Sequence, residues 1–549
     1  MGEKWYNFFS RYYIFECYYI KNMDASQLVT IKEASQWATD YLNRNVSDSN
    51  ISYLVQYGKV KKFNGDGVVK VMINDLMRYY KSFMGKRELI WKKKLGDDLN
   101  WALSFDHLRE KDTTKHVHRL HPYKGKFIPQ LVQYFIDGHT DNFKKKVYFK
   151  AGDIILDPFS GSGTTLVQAH EMGLHSIGVD VSQFNCMITE AKLLKYDLKK
   201  LEAEIKNIKQ AITNYETGNK ILAFENELLA KMAVFNNKYF PSPQFKYKVQ
   251  QGAIKENKYA AEKEREFLKI YNNLVKKYNI ELNNFSAKNF LDKWYIKNIH
   301  KEINFAFEQI KQVKDIKNKM ILAVILSRTI RSCRATTHSD LATLKQPQVT
   351  TYYCWKHKKI CRPLFSIKAW FDRYAIDTLY RLKTFSQLKT KAHYAAIAAD
   401  SRTVDIFKRV GKSNKKFADV LSKQKIQGIF TSPPYVGQID YHEQHAYAYD
   451  LFGFKRKDEL EIGPLFKGQG LEARKSYIEG IAKVLLNCKK YLVKDFDVFL
   501  VANDKYNLYP EIVKQSGMKI VNQFKRPVLN RTERDKSPYS EIIFHLKSI

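Results

Sequence analysis

Long apolar runs are missing from this chain of 549 residues, because Lys, Arg or Asp interrupts every stretch that approaches the length of a membrane span. The aromatic-rich N-terminal residues contain charges and lack a small-residue cleavage site, so they do not fit a signal peptide. Cysteine is scarce, and its six positions are scattered, which fits a reducing compartment rather than a disulfide scaffold. We therefore expect a cytoplasmic protein that does not associate with membranes.

Acidic residues are few relative to basic ones, since 57 Asp and Glu face 93 Lys and Arg and leave a formal net charge of +36. Such an excess, spread along much of the chain, predicts a polyanionic partner, and nucleic acid is the usual one. A Lys-rich composition inherited from an AT-rich genome is the alternative explanation. Compositional drift would add acids as readily as bases, so we favour an electrostatic role.

Two short segments each follow an apolar run with the composition of a buried strand. The segment Asp157–Thr165 (DPFSGSGTT) follows Ile154–Leu156, and Thr431–Tyr435 (TSPPY) follows Ile426–Phe430. Loops that leave the carboxyl ends of parallel strands form the ligand crevice of open α/β sheets. The two segments therefore predict one site that both of them build.

The composition of these segments excludes several common sites. The glycine turn has no Gly-Lys-Ser/Thr ending and no GxGxxG spacing, which argues against nucleoside triphosphates and dinucleotides. No Gly-x-Ser-x-Gly elbow surrounds Ser432, which argues against an acyl-transfer nucleophile. A purely structural Pro-Pro-Tyr turn is the remaining alternative, but it leaves the companion glycine turn unexplained.

Together the two segments resemble the DPFxGSGT and (S/N/D)PPY motifs of the S-adenosylmethionine-dependent DNA amino-methyltransferases. The segment His121–Pro129 (HPYKGKFIP) also resembles the HPxxxxFP segment of that family, with one extra residue before the last proline; in the family the following helix packs beside the methionine end of the cofactor. The resemblance covers roughly residues 116–196 and 392–549. It implies an α/β fold with a doubly wound, Rossmann-like methyltransferase sheet, and S-adenosylmethionine as the cofactor.

Several residues are predicted to bind that cofactor. The Asp157 carboxylate is placed to hold its ammonium group, and Phe159 to pack near its sulfonium. A carboxylate at a strand end, such as Asp180, grips ribose hydroxyls in nucleotide-binding α/β folds, although it could instead cap the next helix. The resemblance assigns the adenine amino group to Asp400. The complete predicted set is Asp157, Phe159, Gly161, Ser162, Gly163, Thr164, Asp180 and Asp400.

The predicted catalytic residues are Ser432, Pro433, Pro434 and Tyr435. An exocyclic amine becomes nucleophilic when acceptors on its two N–H bonds free the lone pair from the ring. Ser432 Oγ and the Pro433 carbonyl are candidates for those acceptors, and consecutive prolines keep them aimed without reorganisation. Tyr435 is predicted to stack on a base that has been flipped out of the duplex.

The identity of the methylated base follows from the resemblance. Family members with Ser in the first motif position mostly modify cytosine N4, and those with Asp or Asn mostly modify adenine N6. Ser432 therefore favours cytosine, as does the pair Asp440–Tyr441.

The chain is predicted to contain five segments. The unit at 24–85 combines a Thr30–Glu33 capping box, two short helices and a basic hairpin with an Asn64–Gly65 turn, which resembles a winged helix-turn-helix DNA reader. A small helical adaptor that contacts only protein is the alternative. The boundaries are 1–23, an extension of unclear role; 24–85, the winged unit; 86–196, the cofactor half of the methyltransferase; 197–390, a helical insertion that is a candidate for target recognition; and 391–549, the catalytic half.

The insertion contains two candidate DNA contacts and one weak metal pattern. Arg328, Arg331 and Arg334 recur at a spacing that would form a basic stripe on a helix, and 350–363 mixes basic with aromatic residues. A solvated charged face is the alternative for both. The pattern Cys354-x2-His357-x3-Cys361 offers three zinc ligands with Cys333 or His338 as a distant fourth, but this spacing is incomplete and no metal is predicted.

A second group of side chains that could in principle bind a metal is the set of histidines between His116 and His121. No acidic residue or cysteine lies near these histidines at ligand spacing, so we predict no metal there either.

These inferences predict a site-specific DNA methyltransferase that acts on cytosine N4 in double-stranded DNA. A restriction–modification role, with a partner restriction endonuclease, follows from the resemblance alone. The competing hypotheses are an adenine-N6 enzyme of the same fold, an RNA amino-methyltransferase, and a DNA-binding regulator that binds the cofactor without turnover. The winged unit and the insertion both remain candidates for reading the target sequence.

Overall fold

In the computed structural model, the described residues form two compact units. The first unit combines the described parts of Met1–Lys93, Ile221–Ile280 and Thr336–Pro363, and the second combines those of Lys94–Lys220, Glu281–Ala335 and Leu364–Ile549. The predicted insertion at 197–390 is thus divided between the units, and the extension at 1–23 lies outside the described residues. These are 26–549 without 43–44, 66, 83–89, 91–92, 95–98, 106–107, 109, 218–219, 283–288, 339–345, 363–365 and 529–538.

The described strands are numbered in chain order. They are β1 (Leu28–Thr30), β2 (Phe63–Gly65), β3 (Val68–Met72), β4 (Ile154–Asp157), β5 (His175–Asp180), β6 (Tyr352–Cys354), β7 (Lys359–Cys361), β8 (Tyr394–Ala398), β9 (Ile426–Thr431), β10 (Leu492–Ala502), β11 (Met518–Pro527) and β12 (Ser540–Ser548).

Helices account for most of the remaining described residues. In chain order they are Ile31–Leu42, Asp48–Gln56, Ile73–Lys81, Glu110–Thr113, Pro129–Ile136, Thr164–Glu171, Gln183–Leu193, Leu198–Thr217, Lys220–Tyr239, Gln244–Gln250, Glu256–Tyr278, Phe290–Trp294, Lys297–Lys311, Ile316–Cys333, Lys368–Ser386, Ile406–Ser413, Lys415–Leu421, Tyr441–Gln444, Ala446–Phe452, Leu471–Lys489 and Tyr509–Gln515. None of these described helices has the length and apolar character needed to cross a membrane.

The second unit is built on a seven-stranded sheet with the order β11-β12-β10-β9-β4-β5-β8. The pairs from β8 to β10 are parallel, whereas β12 runs antiparallel to both of its neighbours. Chain order runs outward from β4 to β5 and β8 on one side, and from β9 to β10 on the other, where β12 then inserts between β10 and β11. The edge between β4 and β9 is therefore the topological switch point, where open α/β sheets place their ligands.

Both faces of this sheet are buried, which explains why its central strands read as continuous apolar runs. Side chains alternate between faces, so Leu156 and Ile429 join one apolar cluster while Ile155 and Phe430 join the other. Helix Leu471–Lys489 contributes to the first cluster, and helix Pro129–Ile136 contributes to the second. The predicted doubly wound, Rossmann-like α/β fold is confirmed.

The first unit contains a three-stranded antiparallel sheet with the order β1-β3-β2. Its first helix begins with the predicted capping box, since Thr30 N–H donates to the Glu33 carboxylate at 2.8 Å and Glu33 N–H donates to the Thr30 hydroxyl at 3.3 Å. Two helices followed by the β2–β3 hairpin give the order expected for a winged helix-turn-helix. The DNA-binding role of this unit stays a prediction.

The predicted basic stripe on helix Ile316–Cys333 is wrong for two of its three arginines. Arg328 and Arg334 are buried. Arg328 donates to Asp377 at 2.7 Å and lies over the Tyr374 ring, so its charge is used inside the second unit. The three-residue spacing gave no sign of this, because the Asp377 carboxylate comes from another helix.

The packing between β9 and β10 generates a stability prediction. A Cβ at Gly428 would lie 2.0 Å from the Asp497 backbone oxygen, so we expect Gly428→Ala to lower the free energy of unfolding by about 2 kcal/mol or more. Gly411 has open space at its Cβ position, so Gly411→Ala should be neutral or stabilise its helix by up to about 1 kcal/mol. Melting temperatures of the two variants and the parent, measured under the same conditions, check this prediction. Equal changes in melting temperature for Gly428→Ala and Gly411→Ala would contradict it.

Candidate active site at the carboxyl edge of the sheet

A pocket of about 850 Å³, including its open mouth, lies at the carboxyl ends of β4 and β9. Nine of the predicted site residues line it, whereas Gly163, Pro433 and Tyr435 do not. The nine are Asp157, Phe159, Gly161, Ser162, Thr164, Asp180, Asp400, Ser432 and Pro434.

Asp157 ends β4 and is 2% exposed. Its Oδ1 accepts a hydrogen bond from the Thr431 hydroxyl at 2.6 Å and another from the Phe159 backbone N–H at 3.1 Å. Burial raises the pKa of the Asp157 carboxyl to about 6, because these hydrogen bonds offset only part of the lost hydration. Since Thr431 ends β9, its bond joins the two predicted loops directly.

The glycine turn needs its two glycines for steric reasons. Gly161 and Gly163 both have positive φ, at 48° and 75°. A Cβ on Gly163 would lie 2.5 Å from the Thr189 side chain, and one on Gly161 would lie 3.0 Å from the Tyr123 ring. The turn therefore keeps its backbone close to the pocket and leads directly into helix Thr164–Glu171.

Asp180 ends β5, and its carboxylate accepts three protein hydrogen bonds. Gly161 N–H donates to Oδ2 at 2.8 Å, while Ser182 N–H and the Asn185 side-chain amide donate to Oδ1 at 2.8 and 3.0 Å. Because a carboxylate offers about four acceptor sites, Oδ2 keeps one for a ligand. Asp180 can thus fix the start of the next helix and also contact a ligand.

Asp400 follows β8, and the Arg402 guanidinium holds both of its carboxylate oxygens. Arg402 Nε lies 2.9 Å from Oδ1, and Arg402 Nη2 lies 2.8 Å from Oδ2. Such a two-pronged ion pair fixes the carboxylate plane at the pocket wall. Its predicted contact with an adenine amino group stays a prediction.

The TSPPY segment contributes Ser432 and Pro434 to the pocket wall. The Ser432 hydroxyl donates to the Val501 carbonyl of β10 at 3.1 Å, which leaves its oxygen lone pairs free to accept. The Tyr435 ring packs against the main apolar cluster, and its hydroxyl donates to Glu541 at 3.0 Å. The stacking role predicted for Tyr435 stays a prediction.

A sequence profile of the DNA methylase family, the N6/N4 type, matches residues 12–191. The chain is 48% identical over 527 residues to the type II methyltransferase M.MjaII of Methanocaldococcus jannaschii, which covers 95% of this chain and 97% of that protein. This chain belongs to the DNA methylase family. Shorter matches are M.MvaI of Kocuria varians (34% identity, 23% of this chain and 27% of that protein) and M.BsoBI of Geobacillus stearothermophilus (35% identity, 17% of each chain).

The pocket is also lined by residues to which the sequence analysis gave no place in the site, among them Tyr123, Asn185, Tyr441 and Glu461. The Tyr123 and Tyr441 rings stack with centroids 5.8 Å apart, and the Asn185 amide lies 3.4 Å from the Tyr123 hydroxyl. The Glu461 carboxylate accepts the Tyr441 N–H at 3.2 Å. Tyr123 lies inside the HPxxxxFP-like segment His121–Pro129, which was a usable signal, whereas Glu461 belongs to no recognisable motif.

Burial favours the neutral forms of other pocket groups as well. Loss of hydration raises the pKa of Asp180, despite the donors that its carboxylate accepts. It also lowers the pKa of Lys126 to about 8, with Arg119 and Arg381 adding smaller effects. A ligand that places a positive charge beside the buried carboxylates of this pocket would therefore bind favourably, because it compensates for the hydration that they have lost.

The histidines before the pocket do have an acidic neighbour, contrary to the expectation from sequence spacing. Glu171, on the helix after the glycine turn, lies 2.8 Å from His116 Nε2 and accepts a hydrogen bond from Lys115. Burial and these partners act in opposite directions on Glu171, and the hydrogen bonds keep its pKa below the ordinary value. We interpret this group as an ion-pair network that fastens the segment to the methyltransferase core.

The raised pKa of Asp157 predicts a pH-dependent stability. The pKa is about 6 in the folded protein, whereas an exposed Asp has a pKa of roughly 4, so the folded enzyme loses stability as the pH rises between these values. Asp157→Asn removes this cost. We expect the unliganded variant to melt at a higher temperature than the parent above pH ~7, with a difference that closes towards pH ~4. Thermal scans across this range measure the difference.

Thr431→Val is the matched control, because it deletes the hydroxyl that donates to Asp157 while keeping the side-chain shape. Relative to the parent, Thr431→Val should lower the melting temperature most at high pH, where the Asp157 carboxylate is charged. If Asp157→Asn gave the same offset at every pH, the substitution would act through packing, and the account of the buried charge would be wrong.

Proposed function

We propose that this DNA methyltransferase transfers a methyl group from S-adenosylmethionine to the exocyclic N4 of cytosine in double-stranded DNA. The observation that supports this most is the shared pocket, in which Asp157 of the glycine turn and Ser432 of the TSPPY loop line one cavity. The Thr431–Asp157 hydrogen bond holds these two loops together at 2.6 Å.

The residues of the pocket fit this cofactor. Its ammonium and sulfonium groups match the buried Asp157 and the aromatic Phe159, and its ribose hydroxyls match the remaining acceptor site of Asp180. The Ser160 and Ser162 hydroxyls are buried at the pocket without a hydrogen-bond partner, so a polar ligand would satisfy them. Gly161 lines the pocket, and a Cβ there would crowd the Tyr123 ring that lines the same pocket.

When bound, S-adenosylmethionine supplies an electrophilic methyl group. The protein makes the amine nucleophilic by accepting hydrogen bonds from its two N–H groups. The Ser432 hydroxyl directs its own proton to the Val501 carbonyl, so its oxygen is available as one acceptor. The Pro433 carbonyl is the second acceptor, and the rigid Pro433–Pro434 backbone costs no reorganisation in the transition state.

Cytosine is the favoured base because the first motif position is Ser432 rather than Asp or Asn. A serine hydroxyl is neutral and, with its proton committed, offers an acceptor without a buried charge. Adenine N6 is the second candidate, since the same pair of acceptors would serve either amine. The formal net charge of +36 supports a DNA substrate, whose flipped base would have to enter the pocket.

A type II restriction–modification role is proposed from the relatives, which are described as type II methyltransferases. Under this proposal a restriction endonuclease recognises the same site that the methyltransferase protects. The unit at 24–85 and the insertion at 197–390 are both proposed as readers of that site.

Replacing the proposed acceptor tests the mechanism. We expect Ser432→Ala to lower kcat by about 100-fold, because it removes an acceptor that acts in the transition state, while leaving the Kd for S-adenosylmethionine within about twofold. Ser422→Ala, at an exposed helix end in the same unit, is the matched control and should keep full activity. Methyl transfer at the parental rate in Ser432→Ala would remove Ser432 from the mechanism.

Mass spectrometry of nucleosides from methylated DNA identifies the base. We expect 4-methylcytosine after incubation of varied duplex DNA with the enzyme and S-adenosylmethionine. A 6-methyladenine product would keep the pocket and the acceptors but overturn the assignment of the base. Methylation of RNA alone, or cofactor binding without any methylated product, would favour the RNA enzyme or the regulator instead.

A further inference from the structure

A compact group of sulfur and nitrogen ligands lies in the first unit, apart from the residues of the methyltransferase pocket. His338, Cys354, His357 and Cys361 each offer one ligand atom, and all four atoms lie within 4.8 Å of one another. Three of them come from the β6–β7 hairpin, and His338 precedes it in the chain. Cys354 and Cys361 are buried, and neither forms a disulfide.

The spacing of these atoms fits a tetrahedral zinc ion. His357 Nδ1 lies 3.6 Å from both the Cys354 and the Cys361 sulfur. Two ligands of one tetrahedral zinc, at bond lengths of about 2.3 Å to sulfur and about 2.1 Å to nitrogen, are themselves about 3.6 Å apart. These two distances are therefore the ones that a bound zinc ion would set between His357 and each cysteine.

The surroundings orient the fourth ligand. His338 Nδ1 lies 2.8 Å from the Tyr352 hydroxyl, which leaves Nε2 as the nitrogen available to a metal. The His338 backbone N–H donates to the same hydroxyl at 2.9 Å, so Tyr352 fixes both the main chain and the ring. Metal-bound histidines usually use their second nitrogen in such a supporting hydrogen bond.

The turn between β6 and β7 is tight and brings its residues back towards the two cysteines, as in a zinc knuckle. The Lys358 N–H donates to the Cys354 carbonyl at 2.6 Å, and Lys358 adopts a left-handed backbone with φ of 55°. The Lys358 ammonium binds both carboxylate oxygens of Glu256 at 2.5 and 2.6 Å, which stabilises this unusual conformation for a lysine. The turn thereby returns His357 towards the two cysteines.

The β6–β7 hairpin is short, and polar contacts tie it to neighbouring helices. The Asn236 side chain bonds both the N–H and the carbonyl of Ile360 at 2.9 Å, and the Tyr353 hydroxyl donates to Glu256 at 2.9 Å. The two strands contain three residues each, and the apolar cluster around the hairpin comprises Tyr352, Cys354 and Cys361. Hairpins this short are marginal in water without additional support, and small modules commonly gain it from a structural metal. A site with two thiolates and two neutral imidazoles also balances the charge of a divalent ion, so burying it leaves no net charge.

We propose that His338, Cys354, His357 and Cys361 form a structural Cys2His2 zinc site. Four protein ligands close the coordination shell, so the ion is structural rather than catalytic. Its function is to fold the 352–361 hairpin, which carries the exposed Trp355 and neighbouring lysines as a rigid tip. Cys333, the other candidate from the sequence, instead donates to the Ser366 carbonyl in the second unit and is not a ligand.

Metal analysis of the full chain tests this assignment. We expect elemental mass spectrometry to find about one zinc per chain after purification without chelators or metal-affinity resin. Cys354→Ser should lower the zinc content by about tenfold or more, whereas Cys333→Ser, a buried cysteine outside the group, should retain it. Cobalt(II) added to the reduced, zinc-stripped chain should give the charge-transfer absorption of thiolate ligands.

Two variants at one position separate ligation from misfolding. His357→Cys supplies another zinc ligand and should keep the metal, whereas His357→Ala should lose it. Equal loss in both variants would overturn the role of His357. A reduced parent chain that carries no zinc and gives no cobalt–thiolate absorption would overturn the site itself, as would an intact mass showing Cys354 and Cys361 joined by a disulfide.

Discussion

The hydrogen bond from Thr431 to Asp157 is the interaction on which the candidate site depends. It joins residues 274 positions apart at the carboxyl ends of two neighbouring parallel strands. Parallel pairing of β4 with β9 sets the two loops side by side, and this bond fixes the buried carboxylate between them. Without it, Asp157 would lose its Thr431 donor, and the glycine turn and the TSPPY loop would lose a direct side-chain link at the pocket.

The same contact explains the electrostatics of the pocket. A carboxylate that is 2% exposed, with a pKa raised to about 6, is an energetic cost to the unliganded fold. A positively charged ligand converts this cost into binding energy, because it supplies the counter-charge that water no longer provides. Stability and ligand binding are thus opposed at Asp157, which is the usual relation at functional sites.

Much of the fold and of the site could be predicted from the sequence, because both depend on local patterns. Apolar runs ending in Asp157 and Thr431 specify buried strands with polar ends, and glycines at 161 and 163 specify a backbone that no other residue adopts easily. Contacts made across the fold left no such pattern, as with Asp377 on Arg328 and Glu171 beside His116. His338, 16 residues before Cys354, was named from the sequence only as one of two distant candidates for a fourth ligand, and its place beside Cys354, His357 and Cys361 comes from the fold.

The most direct test of the central claim is a crystal structure of the enzyme with S-adenosylhomocysteine. The account predicts that one ligand contacts both loops, with its amino group at Asp157, its ribose at Asp180 and its sulfur facing Ser432. Electron density for the ligand outside this pocket, or within it but on the glycine turn alone and far from Ser432, would contradict the account. The two loops would then be neighbours in the sheet without forming a single active site.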